Sequence, residues 1–193
     1  MRLQLQPFLY AIIASFAAVM FGLWAGKDSL QQALYMVRGT ARVGLPLVLI
    51  IYTASAAYKL WPNRMTSSIF KNRRSWGLAF ALTHTIHLFA VINYVNLPGM
   101  IDPGPLGILG YSFIYLMAFS SNTNSIKQLG RWWKRIHTVG VNVIWIYYLV
   151  AYTQMLFEPE LRPVGIVVLP LLIAALVIRL LAWQQTKYRT ARQ

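Results

Sequence analysis

The side chains in this sequence whose types and spacing best suit chemistry are its three histidines, His84, His87 and His137. His84 and His87 are three residues apart in an apolar stretch, which places them on roughly one face of a helix. His137 follows the basic run RWWKR (residues 131–135) at the start of another apolar stretch. Neutral imidazoles in such surroundings can coordinate haem iron, relay protons or join helices through hydrogen bonds.

The residues that these apolar stretches lack narrow the alternatives. They contain no Asp or Glu, and a proton or ion relay within a membrane normally includes a carboxylate. The chain has no cysteine, which excludes disulfides, iron–sulfur clusters and thiolate sites. Structural hydrogen bonding and axial ligation of haem remain open. Two imidazoles on one iron leave no free coordination position, which favours electron transfer over chemistry on a substrate.

The composition is that of a membrane protein. Of the 193 residues, 58% are hydrophobic and only 11% are charged, whereas soluble domains have about a quarter charged residues. The net charge is +14, and 16 of the 18 cations lie outside the apolar stretches, which argues against nucleic acid as a partner and fits loops that face anionic lipid. The length indicates a single domain over residues 1–193. No Gly-rich dinucleotide loop is present, so any flavin or nicotinamide must come from a partner.

Six apolar stretches predict an all-α, integral membrane six-helix bundle. They cover about residues 7–26, 43–62, 75–101, 106–121, 136–157 and 164–183, close to the roughly 20 residues that a spanning helix needs. The connector 27–42 carries apolar residues at helical spacing. This pattern predicts either a short helix on the membrane surface or an ordinary loop.

The distribution of charge predicts the orientation of the bundle. Six spans place both termini on one side, together with 14 of the 18 cations. The other side has four cations, Lys27, Arg38, Arg42 and Arg162, and all four acidic residues. The positive-inside rule then predicts that both termini are cytoplasmic and that the protein is a multi-pass protein of the cell inner membrane.

Two segments that contain histidines resemble a known family. Arg73-Arg74, followed by Gly77-Leu78 and His87, is similar to the RRxLGL…H pattern of the ferric-reductase-like transmembrane family. Residues 120–137, SSNTN through LGRWWKRIH, look like the TSTN…LGxxWKRLH segment of its haem-binding membrane subunits of periplasmic methionine sulfoxide reductase systems. Residues 38–42 loosely resemble the TGRWAL entry of that group. The resemblance covers about residues 38–155, and its two histidine segments are fairly specific.

The resemblance implies that His87 and His137 are the two axial ligands of a haem b. His84 has no counterpart, which leaves it as an alternative ligand or as a residue that orients the haem. Relatives with more haem carry further histidines at the positions that match Ile101 and residues 150 and 151, where this chain has none. One haem is therefore expected.

The function that the resemblance implies is that of a membrane b-type cytochrome. Electrons would come from a quinol or from a cytoplasmic flavin reductase. They would pass to a periplasmic oxidoreductase, such as a molybdenum-containing methionine sulfoxide reductase, or to ferric iron. The alternative is a haem-free helical membrane protein, an assembly factor or a small transporter, in which the histidines are structural.

The depths of the histidines conflict with this ligand pair. At about 1.5 Å of rise per residue, His87 lies roughly 20 Å along its helix from Arg74, whereas His137 lies only about 3 Å from Arg135. The two imidazoles would therefore differ in depth unless the helices are staggered. Depth favours His84 as the partner of His137, and the resemblance favours His87. We base the expectation on the resemblance.

Overall fold

The structure, a computed structural model, describes residues 3–98 and 104–190, with side chains described as far as residue 187. All regular structure in these ranges is helical. The elements are α1 (Gln6–Ala25), α2 (Ser29–Leu60), α3 (Arg64–Lys71), α4 (Arg73–Val95), α5 (Gly104–Phe119), α6 (Thr123–Leu129), α7 (Arg131–Gln154), a 3-10 turn (Met155–Phe157) and α8 (Arg162–Thr190). The predicted all-α bundle is confirmed.

Five of these helices, α1, α2, α4, α7 and α8, are long and apolar enough to cross a membrane. α5 and α6 together meet the same criteria, but they are bent by 104° at the break between them. α5 by itself has 16 residues, which corresponds to about 24 Å. The chain therefore has five candidate spans, or six if the bent pair counts as one, as expected of a multi-pass membrane protein.

The connector at 27–42 differs from both predictions made for it. Residues 29–42 are neither a separate surface helix nor a loop, because they form the first part of the 32-residue helix α2. The Asp28 carboxylate caps this helix by accepting a hydrogen bond from Gln31 N at 2.8 Å. Met36 and Tyr35 of this segment pack against α1, where a Cβ at Gly22 would lie 2.6 Å from the Met36 side chain and the ring of Phe21 lies 6.4 Å from that of Tyr35. The first part of α2 therefore packs along α1.

The predicted spans also differ from the helices at their ends. The third span was expected to reach Ile101, but α4 ends at Val95, and residues 99–103 lie outside the described ranges. The two segments rich in cations, residues 64–74 and 127–135, are largely helical. They contain α3, α6 and the first turns of α4 and α7. Asn63 begins α3 with a capping box in which Thr66 is the reciprocal partner.

The spanning helices alternate in direction, so both described ends of the chain lie at one end of the bundle. Gln4 N donates to Ser75 Oγ at the start of α4 (2.9 Å), and Lys59 Nζ donates to Thr186 Oγ1 near the end of α8 (3.3 Å). We call this the basic end, since α3, α6 and most of the cations belong to it. The opposite end, where α2 begins and α7 ends, is called the cavity end. That the basic end faces the cytoplasm stays a prediction.

Candidate functional site

A cavity of about 220 Å³ lies among α2, α4, α5 and α7. Its position is nearer the cavity end, because it is lined by the first half of α2 and by the second half of α7. The chemically distinctive lining residues are Arg38, Arg42, His84, His87, Tyr111, Tyr147, Tyr148, Tyr152 and Met155. Ile114 and Ile144, both at most 5% exposed, form its deep wall towards the basic end.

Small residues on two helices leave the space for this cavity. Gly107 and Gly110 are one turn apart on α5, and both are buried. A Cβ at Gly110 would meet no atom within 4 Å, so a larger side chain there would project into the cavity. Ala151 contributes a methyl group from α7. The cavity therefore depends on the small size of Gly107, Gly110 and Ala151.

His87 lines this cavity, and only one of its two ring nitrogens has a hydrogen-bond partner among the described residues. The Thr40 hydroxyl is 2.6 Å from Met36 O, an acceptor only, so its proton is donated there. Thr40 Oγ1 must then accept the proton on His87 Nδ1, which is 2.9 Å away. We therefore assign the proton of this imidazole to Nδ1. Nε2 keeps its lone pair and has no hydrogen-bond partner among the described residues.

His84 has both ring nitrogens occupied. Nδ1 lies 3.1 Å from Phe80 O, a carbonyl that can only accept, so Nδ1 carries the proton. The Tyr148 hydroxyl then donates to Nε2 at 3.1 Å. Gly44 allows this contact, because a Cβ there would lie 2.5 Å from atoms of both rings. His84 therefore joins α4 to α7 and is not available as a ligand in this arrangement.

His137 lies at the basic end and not in the cavity. Ser120 Oγ donates to Leu116 O at 2.6 Å, so it must accept the proton of His137 Nε2, which is 3.1 Å away. The ring also stacks on Trp133 with centroids 4.1 Å apart. That nitrogen is therefore protonated, and His137 is not among the residues that line the cavity. His137 thus joins α7 to the end of α5.

The predicted ligands His87 and His137 are not brought together. Tyr148 contacts His84 and marks the matching depth on α7, while His137 lies eleven residues earlier, or about 16 Å along the helix. Two imidazoles on one metal ion need nitrogens about 4 Å apart, twice the usual bond of about 2 Å. The residue at the depth of His87 on α7 is Ala151, since each lies three residues beyond the His84–Tyr148 contact. The difference in depth that the sequence predicted is therefore real.

Three features of the site were not predicted from the sequence. Arg38 and Arg42 were counted as loop cations, although their i and i+4 spacing places them on one helix face that lines the cavity. Thr40, fully buried, holds His87 and was seen only as part of a weak motif. The Tyr111 hydroxyl is buried without a partner among the described residues, and its ring lies 6.5 Å from that of His87.

The electrostatics of the cavity are set by neutral imidazoles and two guanidinium groups. No carboxylate is among its lining residues. The part of the chain that the structure describes has no group of three or more His, Cys, Asp or Glu that could hold a metal ion. A haem needs only one or two protein ligands, so that finding concerns ions held by the protein alone.

No protein family, curated protein or solved structure matches this chain.

Proposed function

We propose that this protein is a membrane-embedded electron carrier that holds a haem b in the cavity through His87. The observation that carries the proposal is the state of His87, which lines the cavity with Nδ1 held by Thr40 and with no hydrogen-bond partner on Nε2 among the described residues. A hydrogen bond on the far nitrogen is how ligating histidines are commonly oriented. Haem, when bound, supplies one-electron exchange at its iron.

The surroundings of His87 are suited to a flat aromatic group. The Tyr111 ring lies at 25° to the His87 ring, and isoleucines close the deep wall. The buried Tyr111 hydroxyl has no hydrogen-bond acceptor among the described residues, and an occupant of the cavity can supply one. The volume of about 220 Å³ is below the roughly 300–1,000 Å³ of typical ligand pockets. A haem would therefore fill this volume and occupy further space beside it.

In this proposal the haem has one histidine ligand from this chain. The pairing of His87 with His137, which the resemblance implies, is left out because the depth of His87 on α7, at Ala151, lies fourteen residues from His137, or about 21 Å along the helix. His84 fixes Tyr148, and His137 fixes the contact of α7 with α5. The iron would then have one protein ligand fewer than in the expected bis-histidine haem, so the proposed electron transfer rests on the resemblance and not on the ligand set.

The partners follow from the resemblance and from the position of the cavity. If the basic end faces the cytoplasm of an inner-membrane protein, the haem lies in the outer half of the bilayer. A quinol dissolved in the membrane is a suitable donor at that depth, and a cytoplasmic flavin reductase is the alternative. A periplasmic oxidoreductase or ferric iron is the acceptor on the nearer side.

The test is the visible spectrum of protein purified from haem-sufficient cells, with iron measured per chain. One iron per chain and a Soret band that shifts on reduction are expected. Gly110→Leu should abolish this absorbance without unfolding the protein, because the added side chain fills the cavity. Gly77→Leu is the matched control, since Gly77 also has no atom within 4 Å of an added Cβ but does not line the cavity. Haem retained in Gly110→Leu would place the haem elsewhere.

A second candidate is a haem-free helical membrane protein, an assembly factor or a small transporter. The observation that favours it is that His84 and His137 each form a hydrogen bond to a hydroxyl outside their own helix, on Tyr148 and Ser120. Protein purified from haem-sufficient cells with no Soret absorbance and no iron would establish this candidate over the first.

A further inference from the structure

Two arginines line the cavity from one face of α2. Arg38 and Arg42 are one helical turn apart, and Val37 and Ala41 share that face. Arg38 is partly buried, and Arg42 is exposed. Side chains at i and i+4 have Cβ atoms about 6 Å apart, so the two guanidinium groups can reach neighbouring positions on one ligand.

Within residues 3–98 and 104–190, these charges have no carboxylate partner. Neither guanidinium forms an ion pair with another described residue, although the acidic residues of the chain all belong to the same side of the bundle. Cations are normally sparse on that side, and an arginine close to the membrane interior is costly unless it has a partner or a function. An anionic occupant of the cavity would remove this cost.

We propose that Arg38 and Arg42 bind the two carboxylates of the cavity's ligand and set its orientation. The inference rests on the proposed function, in which these carboxylates are the haem propionates. Guanidinium groups suit this role because they are always charged and bind carboxylates through paired hydrogen bonds. The carboxylate edge of the ligand then lies at the cavity end, and its apolar edge lies against Ile114 and Ile144.

The proposal is tested by reconstituting haem-free protein with haem b and with its dimethyl ester, in which both carboxylates are blocked. Binding is followed by Soret absorbance and by quenching of tryptophan fluorescence. The wild-type protein should bind haem b at least about 10-fold more tightly than the ester, because hydrogen bonds from guanidinium groups to charged carboxylates are stronger than those to neutral esters. This comparison needs no variant, so it decides the question even if substitutions impair folding.

Variants of the two arginines test whether these residues cause the preference for haem b over its ester. Arg38→Gln with Arg42→Gln should lower haem affinity to the level of the ester and leave ester affinity unchanged. Arg42→Gln alone, at an exposed position, should give an intermediate loss. Arg162→Gln is the matched control, because this arginine also belongs to the cavity end, but its Nε donates to Leu156 O at 2.9 Å and it does not line the cavity.

The outcomes separate the two proposals. If neither pigment binds to the wild-type protein, the proposed haem function fails. If both bind equally well, or if the double variant keeps its preference for haem b, the haem function stands and the role of the arginines is refuted.

Discussion

His87 and His137 occupy nearly identical hydrogen-bonding arrangements with opposite consequences. Each ring faces a hydroxyl on another helix, Thr40 or Ser120, and each hydroxyl donates to a carbonyl of its own helix at 2.6 Å. Among the described residues, Thr40 accepts from Nδ1 of His87 and leaves Nε2 without a partner, whereas Ser120 accepts from Nε2 of His137 and leaves Nδ1 without one. Position therefore separates the two histidines, because His87 lines the cavity and His137 does not.

The largest effect is expected when each imidazole is removed. His87→Ala should abolish haem binding, because Nε2 of this residue supplies the axial bond. Added imidazole should restore part of the Soret absorbance by entering the vacated space. His137→Ala should keep the haem and lose only thermal stability. Loss of haem in His137→Ala at full folding, measured by circular dichroism, would contradict this assignment and favour the ligand pair that the resemblance implies.

The two hydroxyls provide a more sensitive test of the same comparison. Thr40→Val preserves the shape of a fully buried side chain but removes the acceptor of the His87 proton. Haem affinity should fall about 10- to 100-fold, as is usual when the partner of a ligating histidine is lost. The measurement is haem titration of the haem-free protein.

Ser120→Ala is the matched variant at the basic end. It should leave haem affinity unchanged and reduce the free energy of unfolding by about 1 kcal/mol, the usual contribution of one hydrogen bond. A similar loss of haem affinity in both variants would show that the two regions act together, and that the hydroxyl at Thr40 has no special role.

The fold and the site differ in how far they follow from sequence. The apolar stretches predicted the helices because hydropathy is a local property. The prediction for the connector at 27–42 was wrong because the conformation of this segment depends on the Asp28 cap and on packing against α1. The depth of His137 could be predicted from the helical rise per residue alone. Which nitrogen of His87 carries the proton could not be predicted, because it depends on Thr40, which is 47 residues away in the chain.

Arg38 and Arg42 illustrate the same limit. In the sequence they are two of four cations on the side with few positive charges, and topology accounts for them. Only the packing of four helices around Gly107 and Gly110 creates the cavity that they line. A function that depends on such a cavity cannot be read from charge spacing.

The smallest expected change leaves haem content intact and alters only the coordination of the iron. Ala151 lies at the depth of His87 on α7 and lines the cavity. Ala151→His should therefore offer a second imidazole across from the first. The wild-type haem, with one histidine, should bind added carbon monoxide in the reduced state, and this variant should resist it. Val150→His is the control, because Val150 is 39% exposed and does not line the cavity. A wild-type protein that already excludes carbon monoxide would mean that a second residue of the chain, with Met155 or a tyrosine of the cavity as candidates, completes the site beside His87.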